Sequence, residues 1–111
     1  MRAELLKGHL EGMILAVLEL GPMHGYPIIG ELQRRSGGEI CPPTGTIYPA
    51  LRRMESAGLV KGTWSQVDGR RRRTYELTQA GRDALGEQRR EWREIAVVIS
   101  TVLGDEKVVR A

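Results

Sequence analysis

Four consecutive arginines, Arg70 to Arg73, follow an Asp68-Gly69 pair, and two more, Arg52 and Arg53, lie upstream in the run T-G-T-I-Y-P-A-L-R-R-M. A guanidinium is a planar, permanently charged fork that matches phosphate oxygens and guanine edges, so two nearby arginine clusters are chemistry for a polyanion. Hydroxyls precede the first cluster at Thr44, Thr46 and Tyr48, with Pro49 beside them. At a helix start, free backbone amides and the helix dipole favour an anion in the same place. Thr44, Thr46, Tyr48, Pro49, Arg52, Arg53, Arg70, Arg71 and Arg72 therefore form the candidate nucleic-acid contact set. The residue types alone leave open which of Arg52 and Arg53 reaches a duplex.

The charge is concentrated where this set lies. The 111-residue chain carries a net charge of +3, yet residues 44–78 hold seven Lys or Arg against three acids while residues 79–111 hold six of each. A chain of this size, 41% apolar, buries one core and hardly a second. Its single cysteine, Cys41, permits no intramolecular disulfide, so a reducing, cytoplasmic location is expected. The start M-R-A-E-L-L-K has an acid at Glu4 and no apolar core ending in a cleavage site. The longest uncharged apolar run, Ile95 to Leu103, is shorter than the roughly 20 residues a bilayer span needs, and neither export nor membrane insertion is expected.

The elements that must position the arginines follow from periodicity. Leu6, Leu10, Met13, Ile14, Val17 and Leu18 recur at helical spacing, and Gly21-Pro22 closes that helix. A second helix starts near Tyr26-Pro27, turns Ile28, Ile29 and Leu32 inward and stops at Ser36-Gly37-Gly38. A third begins after Cys41-Pro42-Pro43 with Thr44 or Thr46 as its N-cap, buries Ile47, Leu51 and Met54, and ends at Gly58. Tyr48, Pro49, Arg52 and Arg53 lie off its buried stripe.

Asp68-Gly69 is a two-residue hairpin turn, because both central positions need positive φ. Counting outward from it sets Val60 opposite Leu77, Lys61 opposite Glu76 and Trp64 opposite Arg73. Val60, Trp64, Tyr75 and Leu77 then share one face, and Arg70 and Arg72 point to solvent on the other. Arg73 is placed to stack on Trp64, and Arg71 to run past the apolar face toward the tip.

The last element runs from Gln79 to about Leu103 and spaces Leu85, Trp92 and Ile99 at seven, with Ile95, Val98 and Val102 alongside. At 25 residues it is about 37 Å long, more than the side of so small a domain, so its far half is expected to pack on a second copy of the chain. The fold class is mainly α with a β-hairpin wing: a winged helix-turn-helix at residues 1–78, then a dimerisation helix and short tail at residues 79–111.

The chain resembles the PadR-like transcriptional regulators through H-G-Y at 24 to 26, G-T-I-Y-P-A-L-R-R-M-E-S-A-G-L-V at 45 to 60 and G-R-R-R-R-T-Y-E-L-T-Q-A-G at 69 to 81. The match spans nearly the whole chain, and a single long helix at its end is similar to the small subfamily. The resemblance implies a dimeric DNA-binding repressor acting on a pseudo-palindromic operator, with a recognition helix matching Thr44 to Ser56 and a wing matching Leu59 to Thr78. Two departures are Thr74-Tyr75, where many relatives carry paired aromatics, and a wing unusually rich in arginine. The resemblance also implies a possible effector site, since a tryptophan matching Trp92 lines a pocket for flat aromatic compounds between subunits in some members. Leu10, Met13 and Ile14 would form its opposing wall.

Other chemistries have thinner support. His9, His24, Glu39 and Cys41 are individually able to bind a metal, as a metal-responsive regulator would require, but their spacing fits no compact ligand motif. No Ser-His-Asp arrangement or glycine-rich phosphate loop is present, so no enzyme and no cofactor are expected. The competing class is a winged-helix module that binds protein, which has no need of arginines on both helix and wing.

Overall fold

The computed structural model describes residues 8–105. Six elements follow one another there: α1 (Leu10–Leu18), α2 (Gly25–Arg35), α3 (Thr44–Ser56), β1 (Val60–Val67), β2 (Arg70–Leu77) and α4 (Gln79–Leu103). Each of the first three helices contributes an apolar stripe to one shared core. Ile14, Leu15, Val17 and Leu18 come from α1, Ile28 and Leu32 from α2, and Ile47, Ala50, Leu51 and Met54 from α3. Val60, Tyr75 and Leu77 close that core from the sheet and Leu85 from α4. Full burial of one such aliphatic side chain is worth about 1.5–3 kcal/mol, so the helical stripes fix how α3 sits on α1 and α2.

The helix boundaries depart from the sequence reading in small ways with physical causes. Leu6, assigned to the first helix, lies outside the described residues, as does the tail beyond residue 105. Helix α2 starts at Gly25, with His24 as N-cap and Pro27 in the first turn, where a missing N–H is harmless. Neither Thr44 nor Thr46 caps α3. Pro43 does so through its extended backbone, its carbonyl accepting from the amides of Thr46 (2.9 Å) and Ile47 (3.1 Å). Both threonines fall inside the first turn and are exposed. Pro49 consequently lies within the helix, where it cannot donate to the Gly45 carbonyl.

The hairpin pairs in the expected register, Val60 opposite Leu77 through Val67 opposite Arg70. Asp68 and Gly69 take φ values of 52° and 76°, the positive pair that a two-residue turn of matching twist requires. The second edge of β2 is also used. Met23 and Tyr75 exchange backbone hydrogen bonds of 3.0 and 2.9 Å, anchoring the base of the hairpin to the α1–α2 connection.

One threonine joins three elements. The Thr78 hydroxyl accepts from the Gly81 amide at 3.0 Å, capping α4, and donates to the Gly58 carbonyl at 2.6 Å, just past α3. The Thr78 amide donates to the Leu59 carbonyl at 3.2 Å. Gly81 is required by this closeness, because a Cβ there would lie 2.0 Å from the Leu59 oxygen. Further along α4, Arg89 grips Glu19 with two bonds of 3.1 and 2.7 Å. Hydrogen bonding from Arg89 holds the Glu19 carboxyl below the usual carboxylate range.

The heptad stripe of α4 divides into two regimes. Leu85 is buried in the chain's own core, whereas Trp92, Ile95, Val98, Ile99 and Val102 are exposed. The molecule extends 55 Å along its longest axis against 28 and 21 Å across. No helix among the described residues is long and apolar enough to cross a membrane.

Two glycines of α4 make a paired test. Gly81→Ala should destabilise the fold by about 3 kcal/mol, the upper end of what overpacking costs, since the new methyl meets rigid backbone. Gly86→Ala meets nothing closer than the Arg90 guanidinium at 3.7 Å and should stabilise by about 1 kcal/mol. Thermal unfolding of the two variants should move the midpoint in opposite directions.

Candidate nucleic-acid interface

Tyr48, Arg52 and Glu55 lie four and three residues apart on α3 and so form one stripe along its outer side. The wing faces this stripe with Trp64 from β1 and Arg71, Arg73 and Tyr75 from β2. His24 and Tyr26, at the start of α2, complete the wall. Together with Arg70 and Arg72 these residues enclose an open groove of about 670 Å3. Among the described residues, Glu55 is the one acid in its lining.

The H-G-Y segment is explained by this geometry. A Cβ at Gly25 would lie 2.6 Å from the Tyr48 ring, so the absent side chain lets Tyr48 rest on the start of α2, half-buried. His24 Nδ1 lies 3.0 Å from the Thr74 hydroxyl, tying α2 to the wing. Tyr26 is left exposed on the groove. Neither His24 nor Tyr26 was placed in the contact set from sequence, although the H-G-Y spacing was its visible signal.

Each arginine has its own surroundings. Arg73 stacks over the Trp64 indole at 5.2 Å, as its cross-strand position predicts. Arg71 departs from expectation: it folds back over the same ring, at 4.7 Å, instead of running to the tip, because its diagonal position brings it within reach of the indole face. Arg70 is exposed. Arg72 is half-buried on the sheet face it shares with Ser65 and Thr74, and is not simply pointed to solvent. Arg73 also binds Glu55, at 2.5 Å, and the same carboxylate oxygen accepts from the Gly62 amide at 3.3 Å. Beneath them Tyr75 is buried, and desolvation raises its phenol above the ordinary value against a smaller opposing pull from Arg73.

Arg52 and Arg53 point in different directions, as neighbours about 100° apart on a helix must. Arg52 lines the groove. Arg53 turns toward α1 and meets Glu11 at 3.3 Å. Among the sequence-derived candidates, Tyr48, Arg52, Arg70, Arg71 and Arg72 thus share the groove. Thr44 and Thr46 are exposed on the first turn of α3, and Pro49 is half-buried beside Tyr48.

Away from the groove, Trp92 is largely exposed and meets the edge of the His9 ring, with centroids 5.5 Å apart and planes at 75°. Leu10 and Met13 are half-buried, but Ile14 is fully enclosed in the core and presents no surface to a ligand. Met13 also lines a cleft of about 280 Å3 between α1 and α2. Of the residues considered as metal ligands, His9 is thus beside Trp92 and His24 beside Thr74, while Glu39 and Cys41 lie exposed before α3. Among the described residues no group of three or more His, Cys, Asp or Glu is placed to hold a metal ion.

Comparison with known proteins agrees with the architecture. Residues 14–87 match the family model described as the transcriptional regulator PadR-like family. The transcriptional regulator Rv3488 of Mycobacterium tuberculosis is 46% identical over 74 residues, 67% of this chain and 66% of that protein. A PadR family transcription regulator from Clostridium difficile superposes with a TM-score of 0.75 at 39% identity, covering 86% of this chain and 99% of the other. A PadR family transcriptional regulator from Eggerthella lenta gives a TM-score of 0.82 at 28% identity, covering 92% and 88%. Such a match across more than half of the sequence, on a helical fold with a hairpin after its third helix and a long helix after that, means that the chain belongs to the PadR-like family of transcriptional regulators, and not to an enzyme family.

Proposed function

We propose that this regulator is a homodimeric repressor in the cytoplasm that binds a pseudo-palindromic operator and is released from it by a small aromatic effector. The observation that carries the reading is the convergence of Arg52 and the wing arginines on one groove, where Glu55, the single acid lining it among the described residues, is already paired with Arg73. Such a surface offers phosphates a concentrated positive field, and the exposed threonines at the start of α3 add donors where the helix dipole favours an anion.

Dimerisation is supported by the exposed apolar side chains Trp92, Ile95, Val98, Ile99 and Val102 of α4, a row long enough to pair with its twofold copy. A symmetric pair would present two α3 helices about 10 base pairs apart, one helical turn of DNA, with the wings over the flanking backbone. The effector part rests on exposed Trp92, which meets the edge of the His9 ring just before α1, with Leu10 and Met13 half-buried on that helix. A ligand there can release DNA only by binding better to a dimer with displaced recognition helices, and the Thr78 junction supplies a rigid connection from α4 to the end of α3.

Four outcomes are expected. Arg70→Ala/Arg72→Ala should shallow the dependence of log affinity on log salt by about 0.9 for each phosphate no longer neutralised. Arg52→Ala should cost about 1–3 kcal/mol and relax base preference, whereas Arg53→Ala should change affinity far less. Electrophoretic titrations over a salt series read both effects, and equal losses at positions 52 and 53 would count against the assignment. Ile99→Glu should yield monomers in sedimentation equilibrium and weaken operator binding with them. In a Trp64→Phe background, a planar aromatic compound that releases the operator should quench Trp92 fluorescence, and release without any change in that signal would place the effector elsewhere.

A further inference from the structure

We infer that Glu55 and Arg73 are a positioning pair that sets the wing against α3, leaving Arg70, Arg71 and Arg72 as the wing's phosphate-facing charges. This rests on the DNA-binding reading above and assigns a division of labour within its groove.

Glu55 sits in the last turn of α3, and its carboxylate reaches both strands of the hairpin: Arg73 on β2 at 2.5 Å and the Gly62 amide on β1 at 3.3 Å. Both charged side chains are about seven-tenths covered, with 27% and 30% of their surfaces exposed. Arg73 is held from a second side by the Trp64 ring. It also passes so close over Gly62 that a Cβ there would lie 2.6 Å from its Nε, which explains a glycine in the middle of a strand. A guanidinium engaged by a carboxylate and an indole is poorly placed to replace a counterion on DNA. Trp64, braced by Arg73, in turn carries Arg71 on the same ring, so the pair also fixes where Arg71 points.

The charge arithmetic supports the same role. Glu55 is the one acid lining the groove among the described residues, and left unpaired it would repel a duplex backbone. Arg73 therefore acts twice without touching phosphate, by neutralising Glu55 and by setting the wing's angle.

The two roles for Arg73, positioning group or phosphate ligand, give opposite results. Fluorescence anisotropy would follow a labelled duplex carrying a sequence selected by the wild-type protein from a random pool, over a salt series. If the pair positions the wing, Glu55→Gln and Arg73→Ala each weaken binding about tenfold while the salt slope stays as in the wild type. Arg73→Ala is the weaker binder of the two because it exposes the carboxylate, and adding Glu55→Ala to it restores part of the affinity. Gly62→Ala, which displaces Arg73 while keeping every charge, reproduces the loss and needs no deletion of either partner. Tighter or unchanged binding by Glu55→Gln, or a slope reduced by about 0.9 in Arg73→Ala, makes Arg73 a phosphate ligand and overturns the inference. A wild-type protein that retains no duplex even at low ionic strength overturns the DNA-binding reading itself, an outcome distinct from either pattern among the variants.

Discussion

The close approach of Gly81 to the Leu59 carbonyl, with the Thr78 hydroxyl bridging Gly58 and the start of α4, is the constraint through which the other parts are related. At that point the end of α3, the second wing strand and the first turn of α4 meet within a few ångströms. The start of α4 is thereby held directly against the C-terminal end of α3. The backbone pairing of Met23 with Tyr75 adds a second attachment, so the wing is held at its base from both sides.

The arginines illustrate how one residue type is divided between holding the fold and presenting charge. Arg53 and Arg89 bind acids on α1 and in the turn after it, which fastens α3 and α4 to the first helix. Exposed pairs of this kind contribute little to stability individually, on the order of 0.2–1 kcal/mol, and their effect here is to choose an orientation. Arg73 is committed to Glu55. The charges left over, Arg52 with Arg70 to Arg72, are the ones that line the groove without an acidic partner of their own among the described residues. Net charge therefore understates the field at the groove, because the acids are concentrated elsewhere.

Much of this was legible from residues alone, and the failures have clear causes. Asp68-Gly69 determined the hairpin register because only a turn with two positive φ values suits it, and the period of two then assigned every neighbouring pair. The bounds of α4 and the buried stripes of the helices followed from periodicity in the same way. What remained hidden depended on contacts distant in sequence. Helical phase separates Arg52 from Arg53 but does not reveal that Glu11 waits for the second. Gly25, in the H-G-Y segment, gives no sign in sequence of the Tyr48 ring that lies against it. The threonines looked like caps because their type favours that position, yet Pro43 is already extended and its carbonyl serves. Ile14 shared a helical face with Leu10 and Met13, but α1 is surrounded closely enough at that level to enclose it.

The central claim is that one basic groove, built jointly by α3 and the wing, is presented twice by a symmetric pair of chains. Hydroxyl-radical footprinting on an operator selected by the protein measures this most directly, because it records where each strand is shielded. The account predicts two matching protected segments whose centres lie about 10 base pairs apart on one face of the duplex, flanked by weaker protection from the wings. A single unrepeated segment, or protection with no preferred face, would contradict it.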